Sequence, residues 1–163
     1  QCTNLNSVKI MAKVAKLSVS NTTEKGIVAK VMDFYSDFSK ESIPLIEGIY
    51  TQDVEFVDPV HTLSGILALK AYFKRMAINM LHYEMQYIEV IESESCAHLS
   101  WQMTFAHKSL KRGKPIVVRG MSLLKFTSKV YYHEDSYDLG ALVYDHVPLL
   151  GKFTQFLKKR MQE

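Results

Sequence analysis

The sequence predicts an α+β domain: a cone-shaped, curved, mostly antiparallel sheet wrapped around helices, followed by an extra C-terminal helix. Three observations carry this. Apolar residues recur at helical spacing through much of the chain up to about residue 79. After residue 82 the pattern changes to strand-like segments separated by turn residues,. No βαβ alternation, glycine-rich phosphate loop or internal repeat interrupts that order,. The 163 residues suffice for one compact core,. With 47% hydrophobic and 23% charged residues, wholesale disorder is excluded,.

The elements follow in order. Residues 1–20 read as a basic arm, with Lys9, Lys13 and Lys16 on one stripe of a potential amphipathic helix,. Asn21, with Glu24 three residues on, reads as an N-cap and its capping-box partner,. Ile27, Val31, Phe34, Tyr35 and Phe38 continue that helix to about residue 39. A short helix follows Ser42, with Pro44 tolerated in its first turn,. Gln52–Val57 is a strand that stops at Asp58 and Pro59,. Another helix runs from about Gly65 to Asn79, carrying Leu67, Ala71, Met76 and Met80 on or near it. His82–Glu92, Ala97–His107, Pro115–Phe126 and Lys129–Leu139 form the strand meander,. The main domain therefore covers residues 21–140. Residues 141–163 form an extension in which Pro148 can open a helix with Leu149, Leu150, Phe153, Phe156, Leu157 and Met161 on one face,.

The formal charge of +3 divides unevenly. Residues 1–30 sum to +4, residues 31–140 to −3 and residues 141–163 to +2. The basicity lies at the ends, so nucleic-acid binding is not expected despite a pI near 8.8,. The lysines of the N-terminal arm interrupt any signal-peptide core, which points to a cytoplasmic location,. No apolar run reaches the roughly 20 residues of a membrane span. The tail from 148 to 163 either docks on its own domain or touches a membrane surface or partner. Cys2 and Cys96 are too few for a disulfide scaffold, and no Cys/His spacing suggests a metal,. No cofactor is expected.

Alternation sorts the strand faces. Trp101, Met103, Phe105 and His107 share one face, the better candidate for the covered side. Ser122 lies on the inner face of the next strand, with Ile116, Val118, Gly120, Leu124 and Phe126. The outer face, with Arg119, Met121, Leu123 and Lys125, suits a homodimer contact,. On the last strand Tyr131, His133, Asp135 and Tyr137 share a face. A curved sheet closed by helices leaves an apolar pocket for a small molecule. Poor solvation there would suit Asp58 or Asp135 to general acid–base work. Asp58 has an equally good structural role, because Asp before Pro closes turns. His133 can bond Asp135, while His61 stands close to Asp58.

Three segments resemble the nuclear transport factor 2-like superfamily, and within it the SnoaL-like polyketide cyclase group. They are Asp33-Phe-Tyr-Ser-Asp-Phe38; Val54-Glu-Phe-Val-Asp-Pro-Val-His61, followed by Gly65 and Ala71-Tyr-Phe73; and Tyr132-His-Glu-Asp-Ser-Tyr-Asp-Leu-Gly140. The resemblance implies a metal-free isomerase or cyclase activity, or a non-catalytic relative that carries a ligand or binds a partner protein. By similarity to the ketosteroid isomerase branch, Asp58 would abstract a proton and Tyr35 would stabilise an enolate oxygen. That branch carries a protonated acid where Ser122 stands here, which argues against steroid-type isomerisation. By similarity to the limonene epoxide hydrolase branch and the cyclases, Asp135 is the catalytic acid. The Arg-x-Asp pair of the hydrolases is replaced by Trp101-Gln-Met103, so epoxide hydrolysis is not expected. The candidate catalytic set is Asp135, Asp58 and Tyr35. The candidate ligand-binding set is His133, Tyr137, Trp101, His61, Ser122 and Phe105, around a small hydrophobic, oxygenated molecule.

Overall fold

The computed structural model describes residues 25–108, 113–138 and 160. The basic arm, the hairpin tip at 109–112 and almost all of the C-terminal extension lie outside the described residues, as do Asn21 and Glu24. Helix α1 spans Ile27–Ser36. It begins at Ile27 because Gly26, its N-cap, is still extended, with φ −57° and ψ 158°. Glycine also disfavours a helix running through it. The inner stripe of α1 is Val28, Val31, Phe34 and Tyr35.

A single 3₁₀ turn, Ile43–Leu45, holds Pro44 in its first turn and leads into the short helix α2, Ile46–Ile49. Strand β1 is Tyr50–Val57, and β2 is Thr62–Ser64. Strand β2 was not expected, since three residues carry no readable alternation. Helix α3, Ile66–Ile78, buries Ile66, Leu69 and Phe73. Each such side chain, fully buried, contributes about 1.5–3 kcal/mol. The step from β2 into α3 passes through Gly65 at φ 87°, with its N–H donating to the Val54 carbonyl at 2.7 Å. A side chain there would strain the backbone.

The meander is β3 (Met80–Glu92), β4 (Cys96–His107), β5 (Ile116–Phe126) and β6 (Val130–Tyr137). The sheet order is β2-β1-β6-β5-β4-β3. All neighbours run antiparallel except β1 and β6, which are parallel. The sheet is therefore a mixed one, open at both edges, and it curves around the helices. The inner face of β5 is as the alternation predicts: Ile116, Val118, Ser122, Leu124 and Phe126 are buried, while Val117 and Met121 face outward, each 53% exposed.

Bulges re-aim parts of the strands. On β3 the pairing skips Leu81 and Ile88, and both are exposed. On β6 it skips Tyr131, between Val130↔Phe126 and Tyr132↔Lys125. Tyr131 therefore does not share the covered face with His133. It is exposed, while Val130 and His133 are buried. The core lies between the inner sheet face and the helices, with Phe34, Phe38, Phe56 and Phe73 in edge or tilted ring contacts,.

Candidate functional site

The concave side of the sheet, closed by α1 and α3, encloses a cavity of about 210 Å³. Its walls are apolar and aromatic. The polar groups include two hydrogen-bonded clusters, one around Asp135 and one around Asp58, and Tyr83, Tyr87 and His107 line the cavity besides.

Asp135 sits on β6 opposite Ser122 of β5. The Ser122 hydroxyl donates to Asp135 Oδ1 at 2.5 Å. Ser122 Oγ in turn accepts the Trp101 indole N–H at 2.8 Å. On the other side, His133 Nε2 lies 2.9 Å from the same Oδ1. His133 Nδ1 lies 2.8 Å from the Tyr50 hydroxyl, which lies 3.2 Å from the Tyr35 hydroxyl. Indole N–H has no acceptor role, so the first arm can only run toward Asp135. With Asp135 as carboxylate and the imidazole neutral, His133 donates from Nε2 and accepts the Tyr50 O–H at Nδ1. Tyr50 then accepts from Tyr35. Two chains of donors thus converge on one carboxylate oxygen, and neither uses Oδ2.

Packing holds this arrangement. His133 is 1% exposed and rests among the rings of Tyr35, Tyr50 and Phe56, with centroids 5.0–6.0 Å apart. Trp101 lies across Gly120, its register partner on β5. A Cβ at position 120 would stand 2.3 Å from the indole ring and 2.9 Å from the Ser136 carbonyl oxygen. Gly120 is therefore what lets the indole reach Ser122.

Asp58 is bonded differently. Its Oδ1 accepts the backbone N–H groups of Val60 and His61, both at 2.7 Å. Its Oδ2 accepts the Tyr72 hydroxyl at 2.8 Å. His61 Nδ1 is 3.2 Å from Oδ1, and its ring packs on Tyr72 with centroids 5.0 Å apart. The Asp58 side chain is 2% exposed. This is the turn-closing role of an Asp before Pro, reinforced by a phenol from α3.

The tyrosines around these carboxylates are strongly affected. Burial pushes the phenols of Tyr35, Tyr50, Tyr72, Tyr83, Tyr87 and Tyr137 up, and the negative charge of Asp135 pushes each further,. Asp58 adds to the effect at Tyr72 and Tyr137. The cavity phenols therefore stay protonated as neutral donors.

Of the sequence-predicted residues, Asp135, Asp58, Tyr35, His133, Tyr137, Trp101, Ser122 and Phe105 all line the cavity. His61 does not: its side chain, 39% exposed, stands behind Asp58. No group of three His, Cys, Asp or Glu among the described residues is placed to hold a metal ion. No helix among them is long and apolar enough to cross a membrane.

A family model described as a SnoaL-like domain matches residues 31–130. The chain belongs to the SnoaL-like domain family. Solved structures share the fold of this SnoaL-like domain. A nuclear transport factor 2-like protein of unknown function from Burkholderia pseudomallei is 15% identical, with a TM-score of 0.63 over 74% of this chain and 96% of that one. A protein provisionally described as a SnoaL-like polyketide cyclase, from Shewanella putrefaciens, is 14% identical, with a TM-score of 0.61 over 71% and 92%. One provisionally described as an isomerase, from Rhodopseudomonas palustris, is 12% identical, with a TM-score of 0.65 over 74% and 96%. At these identities the likeness is one of fold. A comparison with curated protein sequences finds no match.

Sequence reasoning missed several parts of this SnoaL-like domain's cavity. Tyr83, Met85 and Tyr87 alternate along β3 and all line it. The same alternation that singled out Trp101 and Phe105 would have found them. Leu69, Tyr72, Phe73 and Met76 follow helical spacing on α3, so Tyr72 was legible too. Tyr50 carried no signal, because it joins Tyr35 to His133 across a parallel strand pair formed only in three dimensions.

Proposed function

We propose that the protein binds a small hydrophobic, oxygenated molecule in this cavity and that Asp135 exchanges a proton with a carbon next to the ligand's carbonyl group. The observation that carries the reading is the asymmetry of Asp135. One oxygen is held by Ser122 and His133, while the other takes no part in either chain, inside a cavity with aromatic walls. A base must be oriented and yet have a free lone pair, and this carboxylate meets both needs. Asp58 is a poorer candidate, because two backbone N–H groups and the Tyr72 hydroxyl already donate to it, on both of its oxygens.

In the step, Asp135 takes the proton. The C–H electron pair becomes the C=C bond of an enol or enolate, and the carbonyl oxygen gains the charge. The Tyr35 O–H can rotate about its C–O bond from Tyr50 toward that oxygen, at the cost of one hydrogen bond,. Returning the proton to another carbon completes an isomerisation or ring closure. The cyclase and isomerase descriptions of the Shewanella and Rhodopseudomonas proteins are in keeping with this class of chemistry.

The test is exchange of α-protons of a small cyclic ketone, 2-indanone, in D₂O, followed by NMR. The protein should speed exchange over buffer, and Asp135→Asn should remove about a hundredfold or more of that gain. Asp58→Asn should keep most of it. Exchange no faster than in buffer, or undiminished in Asp135→Asn, overturns the reading.

A further inference from the structure

The charge balance of the cavity has a consequence for what enters it. Asp58 and Asp135 both face the cavity; the basic side chains among the described residues lining it are His107 and His133, and none is Lys or Arg. The charge of Asp58 is met locally by two backbone N–H groups and the Tyr72 hydroxyl. The charge of Asp135 is met on Oδ1 only, by neutral donors when the imidazole is neutral. Its field reaches the phenols of Tyr35, Tyr50, Tyr72, Tyr83, Tyr87 and Tyr137. Tyr35, Tyr72, Tyr83, Tyr87 and Tyr137 line the same cavity as this carboxylate. Those phenols are held protonated, so their rings keep the neutral π-face that attracts a cation. Nine of the cavity's lining side chains are Phe, Tyr or Trp, and four are polarisable methionines: Met76, Met80, Met85 and Met103,.

A carboxylate oxygen and several aromatic faces, in one largely apolar cavity, form a receptor for positive charge,. We propose that the cavity selects a small organic cation: a protonated or methylated amine attached to a hydrophobic group of one or two rings. The size follows from the volume. A cavity of roughly 150 Å³ takes benzene, and this one is about 210 Å³. The ammonium group lies at Asp135 Oδ2, among Tyr83, Tyr87 and Tyr137, and the ring lies against Trp101 and the methionines. A carboxylate-bearing ligand of the same shape is repelled. The proposal rests on the reading above only in placing Asp135, as the anion, at the ligand. It holds whether or not a proton is then transferred.

Three isosteric probes separate the outcomes: benzylamine, benzyl alcohol and benzoate, charged +1, 0 and −1 at neutral pH. Trp101 is the only tryptophan and lines the cavity, so its fluorescence reports occupancy directly. The amine should bind at least about tenfold more tightly than the alcohol, and benzoate more weakly still. Asp135→Asn should bring amine and alcohol within about threefold of each other, while Asp58→Asn should keep the preference. The wild-type series stands by itself if Asp135→Asn fails to fold. Alcohol or benzoate binding as tightly as the amine, no saturable response to the amine, or an undiminished amine preference in a folded Asp135→Asn each overturns the proposal. Ketone exchange with no amine preference would leave proton transfer standing and remove the cation. Amine preference without ketone exchange would do the reverse.

Discussion

Removing the Tyr50 hydroxyl should cost more stability than removing the Tyr35 hydroxyl, although Tyr35 is the residue the sequence singles out. The hydrogen-bond chain gives the reason. Tyr50 is fully buried and sits between two polar groups, the Tyr35 hydroxyl at 3.2 Å and His133 Nδ1 at 2.8 Å. In Tyr50→Phe both lose their partner at once. A stranded buried polar group costs about 1–3 kcal/mol. His133, 1% exposed, has no access to water, and Tyr35 is 8% exposed. The expected loss is about 2–4 kcal/mol. Tyr35→Phe removes only the end of the chain: Tyr50 still donates to His133 and loses one incoming bond, for about 0.5–1.5 kcal/mol. The double variant is the sharper measurement. Once Tyr50 is Phe, the Tyr35 hydroxyl is itself stranded, so deleting it should cost nothing or restore some stability. Urea unfolding followed by Trp101 fluorescence measures all four proteins. An additive double variant, or a Tyr50→Phe no worse than Tyr35→Phe, would refute the chain as drawn.

Two further outcomes follow from the same geometry. Gly120→Ala should destabilise by about 1–3 kcal/mol and shift the Trp101 emission, because a Cβ there stands 2.3 Å from the indole and must push it off Ser122,; unchanged emission and midpoint would refute that packing. The raised phenols fix the alkaline limit. Their folded values lie above the unfolded value of about 10, so the stability they contribute is complete below that pH and is lost as pH rises toward the folded values. The loss is at most about 1.4 kcal/mol per phenol per pH unit. Absorbance at alkaline pH should therefore show the cavity phenols ionising together with unfolding. Ionisation of these six phenols near pH 10 in the folded protein, as distinct from the other three of the chain's nine tyrosines, would contradict their burial.

The sequence made some of this legible and hid the rest for identifiable reasons. The stripe on α1 was readable at Val31, Phe34 and Tyr35 because their burial imposes a period that survives in the letters, while Ile27 was read in place of the buried Val28,. The inner faces of β4, β5 and the later part of β6 were readable for the matching reason in strands. That alternation is what set Trp101, Ser122, His133 and Asp135 on one wall. It failed at Tyr131, Leu81 and Ile88, where one strand carries a residue its partner does not. A bulge is a property of two strands, and one strand's letters do not contain it. The parallel pairing of β1 with β6 was hidden likewise. It brings Phe56 opposite His133 across about half of the chain's length, with a register shift between Tyr50 and Glu55. Asp58 was ambiguous because one side chain can close a turn and face a pocket together, and here it does both.

The two aspartates show how the same side chain, in one cavity, is given different chemistry by its backbone. Asp58 stands where β1 turns, so consecutive N–H groups point back at it, and its charge is neutralised by dipoles that belong to the fold,. Asp135 stands inside a regular strand, where the N–H groups are committed to the sheet ladder with β5. Only side chains can reach it, and they reach it from the flanks: Ser122 across the ladder and His133 two residues along the same strand. Side chains approaching within the sheet surface leave the direction away from it, into the cavity, without a hydrogen-bond donor among the described residues. The open oxygen of Asp135 is therefore a consequence of its place in a strand. A carboxylate moved to a turn would gain backbone donors and lose that open oxygen. The aromatic shell completes the separation, since phenols that stay protonated offer rings and O–H donors to a ligand but no competing charge.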